Sequence, residues 1–238
     1  MRICVDLINL DPPANDPEIG PHANRYRRQI DTDPTMPFEI FPPPADMASA
    51  CRRRIAAAME MIEAGNPQLA AEIRTLLREV VLAVGPSGPG AMIFDGASSF
   101  MLWGGIVLNA NAHETTLDMV QALAHESAHN LLFGLSADGP LVENEDDERY
   151  ASPLRQDPRP LDGIYHATFV CARMHQAVKR LLNGGVLSDK NKIIARKELL
   201  TTAKHFTDGL ETVTRHARLT PIGKAAMAGA RDYMAAHG

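Results

Sequence analysis

The sequence lacks the features that mark secreted, disulfide-bonded and membrane-spanning proteins. Its three cysteines are far apart and form no Cys-x-x-Cys pair, which argues against a disulfide framework or a thiolate metal site and indicates a reducing compartment. No apolar run approaches the roughly 20 residues of a membrane span. The short apolar opening contains Asp6 and leads into prolines, so we expect no signal peptide, no membrane partner and a cytoplasmic location.

Basic residues are also too few for a general nucleic-acid-binding protein. The 24 Lys and Arg residues are outnumbered by 29 Asp and Glu residues, which gives a formal net charge of −5. Proteins that bind nucleic acid normally carry a basic excess that neutralises phosphates. We therefore predict no nucleic-acid partner. A chain of 238 residues with 45% hydrophobic residues can bury an ordinary globular core.

The placement of proline divides the chain into an arm and a body. Nine of the 17 prolines fall within residues 1–45, which predicts an extended proline-rich arm there. The remaining residues, 46–238, are predicted to form a single catalytic domain, with a core at residues 90–183 and a helical annex at residues 188–238.

Helical periodicity dominates the body. Apolar spacing predicts helices over residues 46–64, 67–82, 161–182, 188–219 and 221–236, and a further helix that begins near Thr115 and ends near Gly134. Short apolar runs at residues 91–94 and 101–109 predict a small sheet, and Gly104 and Gly105 interrupt the second run. The predicted fold is therefore α+β and mostly helical, with the small sheet packed against the Thr115 helix and further helices at the carboxy-terminal end.

The Thr115 helix contains the segment His-Glu-Ser-Ala-His, residues 125–129. Thr115 and Asp118 form a plausible capping pair at its start. Residues four apart lie on one helix face within about 6 Å, so the imidazoles of His125 and His129 can converge on one ion. An apolar stripe on the opposite side of the helix can bury it against a sheet or another helix. The spacing therefore predicts a site for a divalent metal.

A third ligand is needed, and the sequence offers several. The metzincin pattern is excluded, because it requires glycine at position 132 and histidine at position 135, and both positions are leucine. Later candidates are Glu143, Glu145, Asp147 and His166. An acidic run such as residues 143–148 is typical of a solvated loop. His166 lies near the start of a predicted helix, directly after a proline-rich loop, and this position suits a ligand that a rigid turn delivers.

The same loop contains two arginines, Arg155 and Arg159. Each guanidinium is a planar fork suited to bidentate capture of a carboxylate. Salt bridges to Asp157, to Asp162 or to the acidic run would explain the pair equally well.

Two motifs together resemble a known family. The segment Ser152-Pro-Leu-Arg-Gln-Asp-Pro-Arg-Pro-Leu-Asp-Gly-Ile-Tyr-His166 follows Ala124-His-Glu-Ser-Ala-His129 and Trp103-Gly-Gly-Ile-Val-Leu-Asn109. This combination resembles the HExxH-motif peptide modification proteins, described as 2-oxoglutarate-dependent HExxH-type peptide β-hydroxylases. The resemblance covers roughly residues 90–180, and the joint motif is more specific than either half.

The resemblance implies iron(II) as the metal and 2-oxoglutarate as the cosubstrate. His125, His129 and His166 would be the metal ligands, although a carboxylate such as Glu143 in place of His166 would give the common two-histidine, one-carboxylate triad. Arg155 or Arg159 would pair with the distal carboxylate of 2-oxoglutarate. Dioxygen would be consumed, and the substrate would be an amino-acid residue, modified at its β carbon, in a peptide such as a ribosomally made precursor.

Two other functions remain open from the sequence. In a zinc-dependent peptidase, Glu126 would be the general base that takes a proton from metal-bound water. In a hydroxylase, Glu126 would instead orient a ligand or contact bound water. The second alternative is a non-catalytic scaffold that retains a degenerate metal site. Failure to bind any metal would favour it.

Overall fold

The computed structural model describes residues 6–9, 26, 29–30, 40–86, 94–152 and 157–238. Most of the predicted arm, part of the apolar run at residues 91–94 and Arg155 lie outside these residues. The chain divides into two compact units, of which the first comprises Met1–Glu63 and Gln68–Asn130 and the second comprises Ala64–Pro67 and Leu131–Gly238. The domain boundaries drawn from the sequence stay predictions.

The first unit contains a four-stranded sheet. Its strands are β1 (Asp6–Asn9), β2 (Glu79–Ala83), β3 (Gly96–Ser98) and β4 (Gly105–Asn109), in the spatial order β1-β2-β4-β3. β1, β2 and β4 are parallel, and β3 is antiparallel to β4. In the register of the central pair Val81 lies opposite Val107, and both side chains are fully buried. The central strands therefore form part of the core.

Three helices lie wholly or mainly in the first unit: α1 (Ala45–Gly65), α2 (Pro67–Leu76) and α3 (Thr116–Leu135). α1 buries a stripe at helical spacing that includes Cys51, Ile55 and Ile62. A short 3-10 helix, Phe100–Leu102, precedes β4. A cluster of buried side chains packs beside the sheet: Tyr26, Ile40, Val81, Ala83, Phe94, Leu102 and Val107.

The second unit is helical and consists mainly of α4 (Leu161–Asn183), α5 (Asp189–His216) and α6 (Pro221–His237), with α4 packed against the other two. Hydroxyl caps fix two of the helix starts. Ser188 accepts a hydrogen bond from the Asn191 amide at 3.3 Å, and Thr220 accepts one from the Gly223 amide at 3.2 Å. The buried Tyr165 hydroxyl donates to the Gly223 carbonyl at 2.8 Å and so links α4 to α6.

The mostly helical α+β fold predicted from the sequence is confirmed, and so are the predicted positions of α1, α3, α4, α5 and α6. The helix predicted over residues 67–82 is wrong in its second half, because α2 ends at Leu76 and β2 follows. Residues 101–109 were predicted as a strand interrupted at Gly104 and Gly105, but the part before the interruption is a 3-10 turn and the strand begins at Gly105. Within the described residues, no helix is both long and apolar enough to cross a bilayer.

Candidate functional site

The start of α3 has the capping arrangement that the sequence predicted. The Thr115 amide donates to Asp118 Oδ2 at 3.0 Å, and the Asp118 amide donates to Thr115 Oγ1 at 3.1 Å. These reciprocal bonds satisfy two amides that a helix amino terminus would otherwise leave unpaired. They fix the residue at which α3 begins.

The middle of α3 is enclosed except at two positions. Every side chain from Met119 to Asn130 is buried apart from those of His125 and His129. The His125 side chain is 30% exposed. The two histidines are thus the groups through which this stretch of the helix reaches solvent.

The histidine pair has a geometry that fits shared binding of one ion. Nε2 of His129 lies 3.2 Å from Nε2 of His125, and the ring centroids are 4.9 Å apart. If each nitrogen lay about 2.1 Å from a common metal, this separation would give a ligand angle of about 100°. That angle lies between those of tetrahedral and octahedral coordination, so zinc and iron(II) are both compatible with the pair.

Glu126 is held beside the pair by strand β3. It is 3% exposed, its Oε2 accepts a hydrogen bond from the Ser98 hydroxyl, and its Oε1 lies 3.9 Å from His125 Nε2. A Cβ atom at Gly96 would lie 2.5 Å from Oε1, so the carboxylate occupies space that only glycine leaves open. Burial raises the pKa of Glu126 to about 7, the Ser98 hydrogen bond opposes that shift, and the charge of Asp95 adds to it.

Asn130 connects α3 to the turn before β4. Its Oδ1 accepts from the Gly104 amide at 2.8 Å, its Nδ2 donates to the Glu126 carbonyl at 3.0 Å, and its own carbonyl accepts from the Trp103 indole at 3.1 Å. The Asn130 side chain is fully buried. Gly104 has a φ of +92°, a conformation that favours glycine, so the turn depends on that residue.

His166, the predicted third ligand, lies on α4 in the second unit. Its side chain is 13% exposed, its Nε2 lies 3.9 Å from Asp162 Oδ1, and its ring centroid lies 5.6 Å from that of Phe133. Burial lowers the pKa of His166, and the charge of Asp162 opposes that shift. Among the described residues, no group of three or more His, Cys, Asp or Glu side chains is arranged to hold a metal ion. The identity of the third ligand stays a prediction.

The acidic run is a surface loop, and one of its members fixes the loop. Glu143, Glu145 and Asp147 are exposed, as expected of a solvated run. Glu148 accepts hydrogen bonds from the Tyr150 hydroxyl at 2.7 Å, from Asn144 at 2.9 Å and from Arg218 at 2.9 Å, and these bonds lower its pKa to about 2. Hydrogen bonding, rather than regular secondary structure, therefore orders this loop.

The two arginines proposed to bind the cosubstrate are only partly described. Arg155 lies outside the described residues. The Arg159 side chain pairs with Asp157, with 2.9 Å between Nε and Oδ2, and its backbone pairs with that of Tyr150. A salt bridge was one of the roles that the sequence left open for Arg159. Which arginine would bind 2-oxoglutarate stays a prediction.

The residues that support the histidine pair were not predicted from the sequence. Gly96 and Ser98 lie on a strand of three residues, Gly96–Ser98, that was not predicted. No local spacing relates them to Glu126, because the contact joins residues 28 positions apart. Asn130 follows His129 directly, but nothing in the sequence shows that its amide reaches Gly104.

The chain matches no protein-family model and no curated protein.

Proposed function

We propose that this protein is a metal-dependent enzyme, an iron(II)- and 2-oxoglutarate-dependent hydroxylase that acts on the β carbon of an amino-acid residue in a peptide. The main support is the histidine pair, whose Nε2 atoms are 3.2 Å apart on an otherwise buried stretch of helix. The resemblance of the two sequence motifs to HExxH-type peptide β-hydroxylases selects this chemistry among those that such a pair can serve.

Each residue of the site has a defined task in this proposal. His125 and His129 would hold the ion, which, when bound, supplies the redox chemistry by which dioxygen and 2-oxoglutarate hydroxylate an unactivated carbon. Glu126 would contact water bound at the ion, since Ser98 holds one of its oxygens and leaves the other 3.9 Å from His125 Nε2, the nitrogen that would face the ion. The buried residues around the pair would exclude bulk water from that side of the reaction.

A titration of anaerobically purified protein tests the proposal. Iron(II) is added first, then 2-oxoglutarate, and the visible charge-transfer band of a chelated keto acid is recorded. We expect the band with the native chain and its loss in His125→Ala and in His129→Ala, because each change removes one of two neighbouring ligands. The products are then sought as succinate formed in the presence of candidate peptides.

His205→Ala is the matched control, since it removes a histidine of α5 that has no role in the proposal. This variant should give the native band. A native protein that binds iron(II) but shows no band with 2-oxoglutarate would contradict the hydroxylase. Full retention of metal in both α3 variants would contradict the assignment of the histidine pair.

A zinc-dependent hydrolase is the second candidate, and Glu126 favours it. A carboxyl group with a pKa of about 7 next to a metal-binding nitrogen suits a general base at neutral pH. Glu126→Gln separates the candidates. A hydrolase would lose peptide cleavage while retaining zinc, whereas a hydroxylase would retain the band with iron(II) and 2-oxoglutarate.

A further inference from the structure

We propose that Asn130 is a positioning residue that sets the orientation of the histidine pair by clamping α3 to the turn before β4. The inference rests on the proposed function, because it concerns how the imidazoles of the metal-binding histidines are oriented. It assigns to Asn130, Trp103 and Gly104 a task that is distinct from binding the metal.

Two neighbouring stripes of side chains on α3 differ in burial and in task. His125 and His129 form the partly exposed stripe, and Glu126 and Asn130, also four residues apart, form the buried stripe beside it. Both members of the buried stripe are hydrogen-bonded outside the helix: Glu126 to Ser98 on strand β3, and Asn130 to Gly104 in the turn before β4. A rotation of the helix that moved the histidines would have to break these bonds.

Apolar packing alone would not specify that rotation. Most buried side chains of α3 are apolar, among them Val120, Leu123 and Ala128, and contacts between apolar groups depend weakly on angle. A hydrogen bond loses strength steeply as its angle departs from linearity. The bonds from the Gly104 amide at 2.8 Å and from the Trp103 indole at 3.1 Å therefore fix both the depth and the rotation of α3 at the residue next to His129.

The bonding of Asn130 also explains why a polar side chain occupies this fully buried position. The turn before β4 presents the Gly104 amide to α3, and a buried amide without an acceptor is costly. An alanine at position 130 would leave that amide without its acceptor, and the helix or the turn would shift until another acceptor or water reached it.

The test compares three variants of the full chain. Asn130→Ala removes the side-chain clamp, and Trp103→Phe removes only the bond to the Asn130 carbonyl. Ser127→Ala is the matched control, because the buried Ser127 hydroxyl bonds within the helix, to the Ala124 carbonyl at 3.2 Å. Imidazole ¹⁵N signals of His125 and His129 are recorded at fixed pH in metal-free protein. Cobalt(II) affinity is measured separately by competition with a coloured chelator.

We expect Asn130→Ala to displace the imidazole signals and to weaken cobalt(II) binding by about 10-fold or more, the usual effect of removing a residue that supports a ligand. Trp103→Phe should shift the same signals by less. If Asn130→Ala does not fold, the signals of Trp103→Phe decide whether Asn130 positions the histidine pair. Ser127→Ala should leave signals and affinity unchanged.

Imidazole signals in Asn130→Ala and Trp103→Phe that match those of Ser127→Ala would overturn the positioning role. The two proposals can fail separately. A native protein that binds no metal would refute the proposed function, whereas the imidazole signals of the metal-free variants would still decide whether Asn130 aims the pair.

Discussion

Glu126 is a buried carboxyl group whose protonation affects the stability of the folded chain. Burial raises its pKa from 4.5 to about 7, which means that the folded state favours the neutral form. Because the folded pKa lies above the unfolded one, the stability associated with the neutral form is fully present below pH 4.5 and is lost as the pH rises through about 7. A shift of this size corresponds to about 3 kcal/mol.

Glu126→Gln should therefore stabilise the metal-free protein at pH 8. Glutamine is neutral at every pH, so the variant avoids the cost of a buried negative charge. We expect its free energy of unfolding at pH 8 to exceed that of the native chain by up to about 3 kcal/mol, with a much smaller difference at pH 4.5. Urea unfolding at both pH values measures this.

Glu114→Gln, a change at an exposed glutamate just before α3, is the control and should alter neither value. Equal pH dependence in the native chain and in Glu126→Gln would show that the buried carboxyl does not carry the effect.

Single residues of the site differ in how far the sequence could reveal them. The pairing of His125 with His129 follows from helix geometry alone, since their separation is fixed by four residues of one helix. The contact between Ser98 and Glu126 depends on how β3 lies against α3. Such tertiary contacts leave no periodic signal, and for this reason the supporting residues appeared only in the structure.

At the scale of elements, the long helices were predictable, whereas β2 and β3 were not and β4 was predicted only as part of a longer run. An amphipathic helix repeats its apolar positions over several turns, whereas β2 is a run of five residues whose last four, Val80 to Ala83, are all buried. A run that is buried on both faces shows no alternation. It follows α2 after only two residues, so the apolar pattern of the helix continued into the strand without a visible break.

The capping box of α3, formed by the reciprocal bonds of Thr115 and Asp118, should contribute to stability. Thr115→Ala removes the acceptor of the Asp118 amide, and we expect the free energy of unfolding to fall by about 1 kcal/mol. Urea unfolding gives the value. Thr116→Ala, at the first residue of the helix, keeps both bonds of the box and is the comparison. Equal losses in the two variants would contradict a specific role for the box.

For the whole molecule, the division into two units falls within α3, between Asn130 and Leu131. The histidine pair belongs to the first unit, and the predicted third ligand, His166, belongs to the second. Spacing along one helix could identify the pair, because it fixes distances only within that helix. No such spacing relates a third ligand from outside α3 to the pair, so the sequence leaves several candidates for it open.

Metal binding should stabilise the molecule as a whole. A ligand that binds only the folded chain, at 100 times its dissociation constant, adds about 2.7 kcal/mol to the free energy of unfolding. We expect cobalt(II) to raise the melting temperature of the native protein and of His205→Ala, and not that of His125→Ala. Calorimetry with and without the ion measures the shift. An equal rise in His125→Ala would place the bound ion elsewhere.

The bond between the Trp103 indole and the Asn130 carbonyl also gives the protein a built-in optical reporter. Trp103 is the single tryptophan of the sequence, it is half exposed, and its ring is tied to the residue that follows His129. Its emission comes from one place in the molecule, and we expect it to change when α3 moves at that point. If the histidine pair binds a quenching ion, we expect the fluorescence of Trp103 to report that binding in real time, without an attached dye.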